Sequence, residues 1–167
     1  MDDNKKKIAF IINPISGTQG KEHILKWLDE KLDKNRYMPE VIYTEWAGHA
    51  VEIAARKAKE EVFAVVAIGG DGTINEIARS LVHTKTALGI IPCGSGNGLA
   101  RHLQIPMEAK KAIDIINEGL IDIIDYGKIN DVPFFCTCGV GFDAFVSLQF
   151  SKAGRRGPLI YPVSYTH

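Results

Sequence analysis

Cysteine is scarce in this chain, and the little there is makes no metal site. Cys93, Cys136 and Cys138 are the only 3, an odd number without the paired spacing of a structural zinc site. Cys136 and Cys138 flank Thr137 in a strand-like run, so their side chains share a face. All three are expected as reduced core residues, with a reducing cytosol as the natural compartment. Net charge is missing too: 20 Lys+Arg balance 20 Asp+Glu, which removes bulk charge as a means of gripping nucleic acid. Long apolar runs are lacking. No segment approaches membrane-spanning length, and the basic start "MDDNKKKIAFII" loses its apolar run at Asn13, so no secretory signal is read. Membrane contact is therefore expected to be peripheral. "NKKK" (4–7) reads as a solvated terminus with a minor attraction for anionic lipid. There is no internal repeat, no G-x-x-x-x-G-K-[ST] loop and no protein-kinase motif set.

What is present is an alternation. With 167 residues, 46% of them hydrophobic, the chain has room for one globular domain, or one and the beginning of another. "KIAFIINP" (7–14) predicts a buried first strand ended by an Asn-Pro turn. Apolar residues at 24, 25, 28 and 32 predict a helix over 20–35. A second strand is expected at 37–45, a second helix at 48–61, and a strand covered on both faces at 62–70. A third helix (73–83), a fourth strand (86–92), a short helix from 95 to 103 and another over 107–119 follow. Strand and helix alternate four times, the pattern of an α/β fold: an open, mostly parallel sheet with helices on both faces. After Gly119 the pattern changes. "LIDIIDYGKIN" and "VPFFCTCGVGF" read as successive strands of an antiparallel hairpin, the entrance to a β-rich second domain. The expected division is 1–122 and 123–167, the second part the beginning of a domain that a longer protein would complete.

Three loops fall at carboxyl ends of the expected parallel strands: "NPISGTQG" (13–20), "GGDGTINE" (69–76) and "PCGSGNGLAR" (92–101). Ligands of open α/β sheets bind outside those ends. Each loop is rich in Gly, Ser, Thr or Asn, which present donors with little bulk, and each precedes a helix whose first N–H groups favour anions.

In this order and spacing the three motifs resemble the diacylglycerol kinase catalytic domain family of lipid kinases, which act on diacylglycerol, sphingoid bases and related lipids. "YTEWAGHAVEIA" resembles the family's second strand and following helix, and the likeness covers roughly residues 7 to 145. "GGDGT" alone is shared with NAD kinases and phosphofructokinases, and "PCGSGNGLAR" argues against an NAD kinase. The resemblance implies an NAD kinase/diacylglycerol kinase-like N-terminal domain using ATP and Mg²⁺. It places Asn13, Pro14, Ser16 and Gly17 along the nucleotide and Thr44 near its base or ribose. Gly69, Gly70, Gly72, Thr73 and Asn75 would cradle the phosphates, with Gly94 and Ser95 on the facing loop. It puts Asn97 and Asp143 at the lipid, with "GVGFDAFV" (139–146) leading into the lipid-binding domain. Arg155 of "GRR" (154–156) resembles a residue that contacts ATP phosphates in sphingosine kinases. Ser95 stands where many diacylglycerol-type members have Thr, and Gly98 where they more often have Asp; the second departure leans toward a long-chain base. No metal ligand set is singled out. The implied partner is a lipid at the inner membrane face of a cytosolic protein, with a homodimer as one open assembly and no nucleic acid.

Asp71 is the residue that a pure anion loop would not contain. It reads either as a carboxylate bracing its own turn, or as the base or metal holder of phosphoryl transfer. Glu76, three residues after Thr73, fits a capping box. Arg101 reads equally as a surface ion-pair partner or a phosphate ligand, Arg155 and Arg156 as solvated or phosphate-bound, and His49 and His102 as capping or surface residues. A module that binds ATP without turnover stays open beside the kinase.

Overall fold

The computed structural model describes residues 5–15, 21–135 and 144. Four parallel strands form the central sheet: β1 (Lys6–Ile12), β2 (Tyr37–Tyr43), β3 (Ala64–Gly69) and β4 (Ala87–Pro92), in the order β2-β1-β3-β4. Helices α1 (Glu22–Lys31), α2 (His49–Lys59), α3 (Asp71–Leu81), α4 (Gly98–His102) and α5 (Ala109–Glu118) follow or join them. The α/β fold expected from the alternation is the one observed.

Strand periodicity sorts the core into two layers. Ile8, Phe10 and Ile12 of β1, with Val66 and Ile68 of β3, face α1 and α5 through Ile24, Leu28, Ala112 and Ile113. Ala9 and Ile11, with Val65 and Ala67, face α2 and α3 through Ile53, Ile74 and Ile77. β3 is buried along its whole length, as its unbroken apolar run requires. Pro39 sits in the edge strand β2, where the lost N–H costs little. α5 is tied back to the start of β2 by side chains: Tyr37 Oη donates to the Ile116 carbonyl at 3.2 Å and Arg36 to the Asn117 carbonyl at 2.6 Å. Gly119 ends α5 at φ 67°, and a Cβ there would lie 2.6 Å from Tyr37 Oη, so both conformation and space call for glycine.

The hairpin is present but shorter than expected. β5 (Gly127–Ile129) pairs antiparallel with β6 (Val132–Phe134). Asn130 and Asp131 turn at φ 46° and 62°, the twin left-handed pair that a two-residue hairpin prefers. Residues 120–126, expected as strand, have no regular structure, and Ile123 is fully exposed. Their apolar alternation has no partner strand among the described residues, and pattern without pairing makes no sheet. The second strand's continuation through Cys136 and Cys138 lies outside the described residues. Among the described residues no helix is long and apolar enough to cross a membrane.

Candidate functional site

The chain leaves β1 for β2 on one side and returns past β1 to β3 on the other, so the winding reverses between β1 and β3. That is where open α/β sheets leave a crevice for ligands. Asn13 stands at its β1 side. Its amide nitrogen donates to Thr73 Oγ1 across the crevice at 3.3 Å, and its carbonyl oxygen accepts from Ile15 N–H at 3.0 Å, an Asx turn that sets the loop's exit. Thr44, at the end of β2, is buried, and its N–H donates to the Ile12 carbonyl at 2.8 Å.

The loops after β3 and β4 touch backbone to backbone. A Cβ on Gly94 would lie 2.5 Å from Gly70 Cα, and one on Gly70 would lie 3.1 Å from Gly94 Cα. Cys93 N–H donates to the Gly69 carbonyl at 2.8 Å. Asn97, at φ 53°, folds the second loop around itself: its side-chain oxygen accepts from Gly94 N–H and its nitrogen donates to the Gly94 carbonyl, both at 2.8 Å. Arg101 Nε donates to the Gly96 carbonyl at 2.9 Å. Asn97, expected at the lipid, is buried with its amide occupied at both ends by its own loop. Arg101, weighed as an ion-pair or phosphate residue, is exposed and bonds that loop through Nε.

Asp71 opens α3 and is exposed. Its carboxylate does not brace its own turn. It accepts from the N–H of Gly98, the first residue of α4, at 2.7 Å. A Cβ on Gly96 would come 2.9 Å from the other carboxylate oxygen, so Gly96 keeps that approach clear. The α3 ladder begins with Ile74 N–H to the Gly70 carbonyl, which leaves the N–H groups of Asp71, Gly72 and Thr73 ahead of it at the positive end of the helix. The expected Thr73–Glu76 capping box is not formed. Gly70, in extended backbone and without a side chain, is the N-cap, and Thr73 is buried inside the first turn with its hydroxyl on Asn13. The helix starts two residues earlier than its apolar stripe because Asp71 and Gly72 are exposed and leave no mark in that stripe.

Of the other expected residues, Pro14 is exposed and Ser95 half-buried on the second loop. A Cβ on Gly72 would meet nothing within 4 Å. Thr73 fills the space over Gly69, where a Cβ would lie 2.7 Å from its own. The carbonyl oxygen of Asn75 is buried without a hydrogen-bond partner; it would repel a phosphate oxygen, so Asn75 can serve phosphates only through its amide nitrogen. His49 Nδ1 accepts from Glu45 N–H at 3.1 Å, a bond within the loop before α2, and α2 has no side-chain cap. Cys93 is mostly buried, and burial pushes its thiol up to about 11. Beside α4 an open pocket of about 650 Å³ is lined by Leu99, His102, Tyr126, Phe134 and Phe135, among others. Among the described residues no three of His, Cys, Asp and Glu gather as a metal site. Ser16, Gly17, Asp143, Arg155 and Arg156 lie outside the described residues. The roles of Gly96 and Arg101 were not legible in the sequence, because their partners are fixed by the packing of two loops.

Comparison with known proteins bears on the family and the fold. The sequence model of the diacylglycerol kinase catalytic domain matches residues 7–129. The chain is 35% identical over 163 residues to the diacylglycerol kinase of Staphylococcus saprophyticus, covering 96% of this chain and 53% of that protein. It is 36% identical over 140 residues to the diacylglycerol kinase of Bacillus subtilis, covering 81% of this chain and 46% of that protein. The crystal structure of a diacylglycerol kinase from Bacillus anthracis superposes with a TM-score of 0.68 at 25% identity, over 77% of this chain and 48% of that one. The chain thus spans about half the length of these relatives.

Proposed function

The chain belongs to the diacylglycerol kinase catalytic domain family, and from that premise we propose that it is the ATP-binding part of a lipid kinase that phosphorylates the free hydroxyl of a diacylglycerol. One observation carries the reading. Asp71 stands between two close-packed glycine loops, suited to phosphate, and α4, where an aromatic-lined pocket begins one residue after Gly98. The γ-phosphate end lies on one side of the carboxylate and an apolar acceptor on the other.

The residues present fit a nucleotide triphosphate. The bare Gly70–Gly94 contact lets backbone come close, and the N–H groups of Gly72 and Thr73 point from a helix N-terminus. Ser95 adds a hydroxyl donor from the facing loop. In the transfer, the lipid oxygen forms a bond to the γ-phosphorus, the bond from that phosphorus to the bridging oxygen breaks, and ADP leaves. Asp71 takes the hydroxyl proton, or holds the divalent cation that offsets the triphosphate charge. Asp71 would be the residue to hold a Mg²⁺ ion, which would supply the positive charge that offsets the triphosphate. The curated relatives are named diacylglycerol kinases, which favours diacylglycerol over the long-chain base suggested by Gly98. Residues 1–122 are read as the nucleotide domain and 123–167 as the start of a β-rich lipid-binding domain, working at the inner membrane face of the cell.

Radiolabelled ATP offered to the protein with diacylglycerol micelles, sphinganine and NAD tests the reading. Label is expected on diacylglycerol. Label on NAD alone overturns it, and label on sphinganine moves the substrate. ATP binding without lipid phosphorylation would support the second reading, a nucleotide-binding module.

A further inference from the structure

The pocket beside α4 has an aromatic wall, and that wall is held from the far end of α3. Tyr126, Gly127, Phe134 and Phe135 supply it. Tyr126 stacks on Phe135 with ring centroids 5.8 Å apart, and the Phe134 ring covers Gly127 so closely that no Cβ fits there. These residues belong to the β5–β6 hairpin or to its margins. The hairpin pairs with no further strand among the described residues. The stretch before it, 120–126, has no regular structure, so the angle of the hairpin is set by side chains.

Two polar contacts set it. Arg79, in the last turn of α3, donates from Nε to the Pro133 carbonyl of β6 at 2.7 Å. His83 Nε2 hydrogen-bonds to Tyr126 Oη at 3.0 Å, with its ring edge-on to the tyrosine. One contact thus catches each arm of the hairpin. Phe135 adds apolar packing against the core layer that holds α2 and α3. Apolar packing is non-directional, whereas a hydrogen bond weakens steeply off its axis and so fixes an angle. His83 stands at φ 60° just past the end of α3, where glycine is the usual residue. A ring in that backbone reaches Tyr126; glycine could not. α3 therefore carries Asp71 in its first turn and the hairpin's anchors at its end. From Asp71 to Arg79 the helix axis rises about 12 Å, a rigid spacer between the carboxylate and the wall.

We infer that Arg79 and His83 are positioning residues for the lipid acceptor. They hold the Tyr126–Phe135 wall at a fixed reach from Asp71, and so set the affinity for an apolar, hydroxyl-bearing substrate. Neither side chain lines the pocket. The inference rests on reading that pocket as the acceptor's side of Asp71.

The probe is dioctanoylglycerol, titrated calorimetrically into the whole chain, with ATP titrated separately. His83→Gly suits the left-handed backbone, so its melting temperature should hold or rise. Its dioctanoylglycerol binding should nevertheless weaken about fivefold, the net worth of one hydrogen bond. Arg79→Ala is expected to lose a similar factor. Tyr126→Phe keeps the ring and should match His83→Gly, and the two combined should lose no more than either, since they break one bond. ATP affinity is expected to stay unchanged in every variant. In steady-state assays the KM for dioctanoylglycerol should rise while kcat holds. Unaltered dioctanoylglycerol binding in both His83→Gly and Arg79→Ala overturns the positioning role and leaves the pocket standing as the acceptor site. Losses matched by an equal fall in ATP affinity also overturn it, because the two residues then serve the fold of α3 as a whole. A lowered kcat with KM unchanged does the same. A folded wild-type chain that binds ATP but no dioctanoylglycerol removes the pocket as acceptor site, and this inference with it.

Discussion

The carboxylate of Asp71 accepts the backbone N–H of Gly98 at 2.7 Å, joining the first turn of α3 to the first residue of α4. A carboxylate in a glycine loop would ordinarily repel the anion such a loop is suited to. Here one oxygen is taken by the N–H that opens α4, while the first N–H groups of α3 stand at the positive end of their own helix. The side chain of Asp71 thus ties the loop after β3 to the helix that follows β4, and its charge stands beside the first residue of that helix.

Asp71→Asn keeps an oxygen for Gly98 and removes the charge. The loops should hold their shape and ATP affinity should change little, while kcat for lipid phosphorylation falls by about 10²–10⁴, the usual worth of a positioned acid or base. Steady-state kinetics beside calorimetry separates the two effects. Full turnover in the Asp71→Asn protein would remove Asp71 from both the base and the metal role.

The fold was legible where side-chain period and burial agree. β3 declares itself by an unbroken apolar run, and α1 and α2 by stripes that match their buried faces. The start of α3 was not legible, because Asp71 and Gly72 are exposed and Gly70 caps by backbone alone. Residues 120–126 misled in the opposite way: Leu120, Ile121 and Ile123 belong to a strand-like apolar run but are exposed. The three loops could be found from composition, yet the work of Asn97, Gly96 and Arg101 depends on which loop meets which, a relation between distant segments that local pattern does not carry.

Glycines 94 and 72 should respond oppositely. Gly94→Ala drives a Cβ to 2.5 Å from Gly70 Cα, so the two loops must part. A stability loss of about 1–3 kcal/mol, the common range for overpacking, and a marked fall in ATP affinity are expected. Gly72→Ala meets nothing within 4 Å and sits in a helix, where Ala is favoured over Gly by about 0.5–1 kcal/mol. Its melting temperature should hold or rise. Weaker ATP binding in this variant, despite an intact fold, would show phosphate approaching the bare helix N-terminus; unchanged binding would move the phosphates elsewhere.

Cys93 should be slow to alkylate. Burial pushes its thiol up to about 11, so roughly a thousandth of it is thiolate at pH 8, and the thiolate is the nucleophile. Iodoacetamide followed by peptide mass mapping should leave Cys93 unmodified in the native protein and label it fully in denaturant. Rapid native labelling at Cys93 would mean that the loop after β4 opens far more than its packing against Gly69 and Gly70 allows.

Lys57 supplies the pH dependence. Its side chain is 7% exposed, and its ammonium bridges Glu40 at 2.7 Å and Glu60 at 2.8 Å, tying α2 to the edge strand β2. Burial alone would lower its pKa, but the hydrogen bonds and charges of Glu40 and Glu60 outweigh it and hold the group above its ordinary 10.5. A raised folded value stabilises fully below the unfolded one, and that contribution disappears as pH climbs through the folded value. Glu60 is shifted the other way, held below its ordinary 4.5 first by the hydrogen bond from Lys57, against burial, and then by the charges of Lys57, Arg56 and Lys7. Its contribution is present above the ordinary value and fades as pH falls through the lowered one. Lys57→Gln should therefore cost about 1 kcal/mol near neutrality, a value kept small because both glutamates are half-exposed. Melting curves taken from pH 3 to pH 11 should show the wild-type advantage shrinking at both ends. A difference between wild type and variant that stays constant across that range would mean that Lys57 stabilises through its packed methylene chain and not through its charge.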